Sequence, residues 1–460
     1  MKTDQTELFE KRSIPRAVIA LVIPTIISQI ITVIYNMADT FFIGQLNDPN
    51  QVAAATLIMP PFVMMTGIAN LFGIGGASLI ARSLGAGDRE RAKRSASFSI
   101  YTSALFALVY GLVIYSLAPI IFPLLGSDAA TYGFCMDYAL WTIAVGAVPT
   151  VLNACMAHLV RAEGCAKEAS IGVALGGILN IILDPIFIFA FGLGVEGAAI
   201  ATMLSNLIAC FYFFLLLYRR REITAIKFSL KHYTWRGGIP KEILLVGFPS
   251  FMMMLMGTFS NIVLNKLVVS YSNEAIAGMG IAKKIDVLAF AISNGMTQGV
   301  LPLIGYNYAS KNHRRMRSAI KTAFLYTLIV ATIGAVFLFT CAVPVLRFFI
   351  DHAQTVAYGQ HFLRIICVTC PAISVTMMII TVFQATGQKT KPMLLSLVRK
   401  GGFDVPFMFI MDALAGVNGI PFATPISDVL AMLTALALFI PYWKKVNAQI
   451  KEENQIEIKG

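Results

Sequence analysis

Charge is scarce in this sequence. Asp, Glu, Lys and Arg make up 13% of its 460 residues, and 57% of the residues are hydrophobic. A soluble domain carries about 25% charged residues, so a water-facing globular surface cannot be built from this composition. Histidine is scarcer still: five residues, scattered, offer no ligand set for a resident metal. The seven cysteines are an odd number and lie mostly inside apolar runs, which speaks against a disulfide framework. Cys367 and Cys370 form a C-x-x-C, but no second pair accompanies it, and packing within an apolar helix accounts for both. There is no H-E-x-x-H, no P-loop and no soluble catalytic segment. An enzyme, and ATP hydrolysis in particular, is therefore not expected, and no catalytic residue is assigned. The charged N-terminus and the length of the first apolar run, from Ile14, speak against a cleavable signal.

What the chain has instead is long apolar runs. Twelve segments read as membrane spans, near 15–45, 52–81, 95–119, 132–160, 168–191, 195–218, 243–271, 275–305, 320–346, 355–385, 391–414 and 418–443. The expected fold is an all-α polytopic membrane protein of twelve transmembrane helices. The net charge of +12 sits in particular connections. Arg82, Arg89, Arg91, Lys93 and Arg94 follow helix 2; Arg219, Arg220 and Arg221 open the long 6–7 connection; Lys311, Arg314, Arg315 and Arg317 follow helix 8. Basic connections face the cytoplasm, so both termini are expected there, in a bacterial inner (cell) membrane. The same rule explains the positive charge without a nucleic-acid partner.

The two halves resemble each other. Pro24 and Asn36 match Pro249 and Asn261; Gly76 and Ala86 match Gly299 and Ala309. The clearest pair sets Gly194-Val195-x-Gly197-x-x-x-Ala201-Thr202-x-x-Ser205 against Gly416-Val417-x-Gly419-x-x-x-Ala423-Thr424-x-x-Ser427. A lag this steady over six helices implies two six-helix lobes. Six is even, so both insert the same way, related by a pseudo-twofold axis along the membrane normal. The expected organisation is an N-lobe over 1–218, a cytoplasmic linker over 219–242, a C-lobe over 243–443 and a tail over 444–460.

Within this apolar background a few polar side chains stand out. Asn180-Ile-Ile-Leu-Asp184-Pro185 puts an amide and a carboxylate on one face of helix 5. A carboxylate at membrane depth costs about 2.5–3.5 kcal/mol on insertion scales and is by default a functional candidate. Helical rise puts Asp39 about 9 Å below the outer end of helix 1, and Asp184 and Thr202 at about 10 Å on helices 5 and 6. Asn180 lies one turn deeper. These four can meet. Two carboxylates in a poorly solvated site repel, which favours uptake of a proton; the same oxygens with Asn180 and Thr202 can instead ligate Na⁺. The bland alternative is that Asp184 only bonds Asn180 to hold the helices together. Pro24, mid-span in helix 1, removes a backbone hydrogen bond and marks a hinge.

At Asn36-x-x-Asp39-Thr40, Gly85-Ala86-Gly87-Asp88, Arg161-Ala162-x-Gly164, Asn180 to Pro185 and Gly194-Val195-x-Gly197-Ala198, the chain resembles the multidrug and toxic compound extrusion (MATE) transporters, in the MepA-like branch near the DinF group. Gly85-x-Gly87-Asp88-Arg89-x-Arg91 also faintly resembles a loop of major-facilitator transporters, but the helix 5 motif and the repeat favour the MATE reading. The resemblance covers nearly the whole chain. It implies two MatE repeats and a secondary active antiporter that expels lipophilic, mostly cationic drugs against H⁺ or Na⁺ by alternating access. It implies no cofactor beyond the coupling ion, small-molecule drugs and the lipid bilayer as partners, and a monomer. In similar proteins an acid on helix 1 and this helix 5 group form the cation site, a role carried onto Asp39, Asn180, Asp184 and Thr202. A lipid-linked precursor flippase is the alternative within transport, and an intramembrane enzyme the one outside it.

The second half does not duplicate this constellation. Asp39 aligns with Leu264 and Asp184 with Val405. The C-lobe has Asp404 and Asp428 instead, with Lys266, Lys283, Lys284, Asp286 and Arg364 also in its apolar segments. Most read as internal ion pairs or snorkelling ends, with Asp404, Asp428 and Asp286 as a secondary proton or substrate site. Tyr35, Asn36, Phe62, Tyr138, Met256 and Phe290 are candidates for lining a substrate cavity, since aromatic faces attract cations and Met re-packs around varied ligands.

Overall fold

A computed structural model describes residues 7–350 and 352–459. All twelve apolar segments are helical. Six form the first half: α1 (Ile14–Gly44), α2 (Pro49–Gly85), α3 (Arg89–Ser116), α4 (Tyr132–Ala139 and Ala147–Ala162), α5 (Ala166–Pro185) and α6 (Gly194–Arg219). Six form the second: α7 (Ile239–Val269), α8 (Asn273–Ala309), α9 (His313–Thr340), α10 (Ala353–Cys367 and Cys370–Ala385), α11 (Thr390–Leu397 and Val405–Ala415) and α12 (Ala423–Lys459). Among the described residues, eight of these helices are long and apolar enough to cross a membrane singly, and ten if the bent α4 and α10 each count as one span. The remaining two are α8 and α11. α11 is broken into pieces of 8 and 11 residues by a π-helical turn at Val398–Asp404 that holds Arg399 and Lys400, and the first half of α8 carries Glu274, Lys283, Lys284 and Asp286.

The repeat visible in the sequence is repeated in geometry. α4 bends by 48° at a π-helical turn, Leu140–Val145, and α10 bends by 44° just before Cys370-Pro371. Wide turns and proline are the usual causes of sharp kinks. In the first half α2 packs on α4, and α5 on α6; in the second, α8 packs on α10, and α11 on α12.

Packing divides the chain inside two helices. One compact unit holds Ile27–Met254; the other holds Glu7–Ile26 and Leu255 onward. α1 therefore changes unit two residues after Pro24, and α7 five residues after Pro249. Polar contacts fix the exchanged ends. Glu242 at the start of α7 accepts from Arg82 at 3.3 Å and from Arg91 at 2.5 Å. Arg315 donates from Nε to the carbonyl of Phe9 at 2.6 Å, and from Nη2 to that of Arg12 at 2.6 Å, just before α1. The 6–7 connection is folded against the first unit. Glu163 accepts from Thr224 Oγ1 and from the Ala225 N–H, both at 2.5 Å, and Ser97 donates to the Ser229 carbonyl at 2.9 Å.

Candidate functional site

The first unit brings Asn180, Asp184 and Thr202 together as the helix arithmetic requires. α5 and α6 run side by side, and Gly197 is what lets the start of α6 close on the end of α5. A Cβ there would come within 2.6 Å of the Phe187 backbone. Gly177 plays the same part toward α1, where a Cβ would meet Ile31 at 2.9 Å and the Tyr35 ring at 3.1 Å. Pro185 lacks an N–H, so the α-helical pattern ends there and a π-helical turn, Ile186–Ala190, continues the span. Asp184 thus occupies the last regular turn of α5.

Asn180 organises the group. Its Nδ2 donates to Asp184 Oδ1 and to Thr202 Oγ1, each at 3.1 Å. Asn180 is 1% exposed and Asp184 fully buried. Asp39 lies within electrostatic reach of Asp184, though among the described residues it makes no direct hydrogen bond to the other three. The unsatisfied atoms are informative. Asp39 Oδ1, Asn180 Oδ1 and Asp184 Oδ2 are all buried without a hydrogen-bond partner. All three are acceptors, and among the described residues no cation pairs with either carboxylate. A buried acceptor without a donor costs about 1–3 kcal/mol, so three together describe a place that gains from a proton or a small hard cation. Oxygen-only ligands suit Na⁺ as readily as they accept H⁺.

Two further polar residues extend the network. Asn206 donates to the Thr202 carbonyl at 2.9 Å, and Asn153 on α4 donates to Asn206 Oδ1 at 3.0 Å. The sequence reading passed over both. Asn206 stands four residues after Thr202, the one signal that would have placed it on the same face.

The cavity candidates separate. Tyr35 and Tyr138 share the electrostatic surroundings of Asp39 and Asp184. Asn36 donates to the Thr32 carbonyl of its own helix at 2.8 Å. Phe62 is half-buried on α2. Met256 packs against Gly401, and Phe290 lies under the Arg399 guanidinium, 6.0 Å from its ring centre.

Those last two belong to a different polar group, in the second unit. Asp404 Oδ2 accepts from Ser260 at 2.6 Å and from Lys400 at 2.9 Å. Asp428 accepts from Arg399 Nε at 2.8 Å and from Thr369 at 3.4 Å. Lys283 and Asp286 are in electrostatic contact with each other and with this set. Three acids thus face three cations. Arg399 and Lys400 were missed in the sequence, although Lys400 stands four residues before Asp404, the spacing of a helical ion pair.

The MatE family model matches the chain twice, over residues 24–186 and 249–410, once in each half. The chain belongs to the MatE family. It is 32% identical to the multidrug export protein MepA of Staphylococcus saprophyticus, over 95% of this chain and 96% of that protein. Among solved structures, a MATE in complex with MaL6 matches with a TM-score of 0.90 and 26% identity, over 98% of this chain and all of the other. An outward-facing multidrug resistance MATE transporter of the MOP superfamily matches with a TM-score of 0.88 and 27% identity, over 98% of this chain and 99% of that one. The two-lobe, twelve-helix fold is therefore that of a MATE transporter. The chain is a transporter and not an enzyme.

Proposed function

We propose that this MATE transporter is a secondary active multidrug exporter, moving lipophilic, mostly cationic compounds outward in exchange for H⁺ or Na⁺. The observation that carries the coupling site is the uncompensated acidity of the first unit. Asp39 is within electrostatic reach of Asp184, and among the described residues three buried acceptor oxygens lack donors and no cation pairs with either carboxylate. In the second unit Asp404 and Asp428 have basic partners in Lys400 and Arg399, and their bonds to Ser260 and Arg399 read as braces between helices.

Loading follows from charge. A proton or Na⁺ arriving from outside is held by Asp184 and Asp39, with Asn180 Oδ1 and Thr202 Oγ1 as further oxygens. Once loaded, the site no longer attracts an organic cation, which favours its release. Returning the ion to the cytoplasm restores the negative charge. Pro24 supplies the weak point at which α1 yields, and the change of packing unit two residues later supports that role. The protein sits in the cell membrane with both termini cytoplasmic, as the basic connections require.

Ethidium efflux from proteoliposomes, with ΔpH and a Na⁺ gradient imposed separately, tests the proposal. Wild type should respond to at least one gradient and Asp184→Asn to neither. Equal gradient-driven efflux by both proteins would falsify the coupling assignment.

A further inference from the structure

Arg364 has no part in the function described so far, and its surroundings are unusual. It lies within α10, yet among the described residues no carboxylate pairs with it. Its Nε donates to the Phe339 carbonyl at 3.1 Å, near the C-terminal end of α9, and its guanidinium carbon stands 5.3 Å from the Phe339 ring centre. Beside it opens a cleft of about 530 Å³, walled by Phe339, Gln360, His361, Val368 and Phe422. The walls are apolar and open outward: Phe339 is 45%, Val368 59% and Phe422 41% exposed. A second cleft of about 410 Å³ adjoins it, sharing Ala357 and His361 and lined on its far side by Ser272, Glu274 and Asn418. The first cleft is therefore at the end of α9 far from the basic 8–9 connection.

An arginine is costly in a membrane segment unless something answers its charge. Binding the Phe339 carbonyl uses one donor of five. The remaining fork suits a phosphate, which Arg holds in bidentate fashion, while the aromatic and aliphatic walls suit an acyl chain. We propose that the cleft between α9, α10 and α12 binds an anionic glycerophospholipid of the outer leaflet, phosphate on Arg364 with His361 and Gln360 beside it, acyl chain along Phe339, Val368 and Phe422. On the cytoplasmic side of membranes, basic pockets between helices bind anionic lipid headgroups; here the same charge logic applies at the opposite end of α9.

The test uses the full chain in detergent, titrated separately with phosphatidylglycerol, phosphatidylcholine and inorganic phosphate, and followed by native mass spectrometry and thermal shift. Phosphatidylglycerol should bind in preference to phosphatidylcholine. Arg364→Gln should weaken it about fivefold, the effect of losing one basic contact to an anionic membrane surface, and Arg364→Lys should restore part of that. Val368→Trp, which fills the cleft and leaves the arginine, should also weaken it, so the result does not depend on one variant folding. Equal retention of both lipids by wild type, or unchanged phosphatidylglycerol preference in Arg364→Gln and Val368→Trp, overturns the proposal. So does Arg364-dependent stabilisation by inorganic phosphate without any by phosphatidylglycerol, which would make the ligand a soluble anion.

Discussion

Asp184 and Asp428 are both buried carboxylates on membrane helices, and their partners set them apart. Asp428 has Arg399 at 2.8 Å; Asp184 has an amide at 3.1 Å and a second oxygen with no donor. Neutralising them should therefore have opposite consequences. Asp184→Asn relieves a charge that no cation among the described residues balances, so the protein should stay folded and lose gradient-driven efflux. Asp428→Asn strands a buried guanidinium, which costs about 3–5 kcal/mol and should appear as a lower melting temperature and less folded protein on size exclusion. Asn180→Ala removes both donated bonds at once. Folded protein is expected, with efflux shifted in its dependence on external pH or Na⁺; wild-type dependence would show that Asn180 only braces α5 to α6.

At the scale of elements, the helices owe their positions to small residues and interruptions as much as to apolar faces. Gly197 lets α6 start against the π-helical turn that ends α5. Gly197→Val should cost more than the about 1–3 kcal/mol typical of overpacking, because the obstruction is backbone and cannot rotate away. The same change moves Thr202 off Asn180, so efflux by the surviving folded fraction should fall too. Pro24 presents the reverse case. Pro24→Ala restores a helical donor, so melting temperature should hold or rise while the efflux rate drops; an unchanged rate would remove the hinge. Helix existence and the Asn180–Asp184 face were legible in the sequence, because hydrophobic runs and a four-residue spacing are local properties. The π-helical turn of α11, with Arg399 and Lys400 at its centre, was not. Its charges are tolerable in a membrane segment only because Asp404 and Asp428 reach them.

Across the whole molecule, the duplication built one scaffold twice and furnished it differently. Helices 4 and 10 bend alike, but where the first half has Asp39 the second has Leu264, 2% exposed in an apolar cluster with Val268, Met279 and Phe362. The sequence by itself determined the membrane class, the twelve segments, the repeat and the shared helical face of Asn180 and Asp184. Each of these follows from hydropathy, charge placement or spacing along one helix. Only the tertiary structure decided which carboxylates are balanced and which are not. It also decided that α1 and α7 change packing unit part-way, and that Arg364 borders a cleft with no acid paired to it among the described residues. Those outcomes depend on which groups from distant parts of the chain come within a few ångströms in a medium without water. Spacing along a single helix does not encode that.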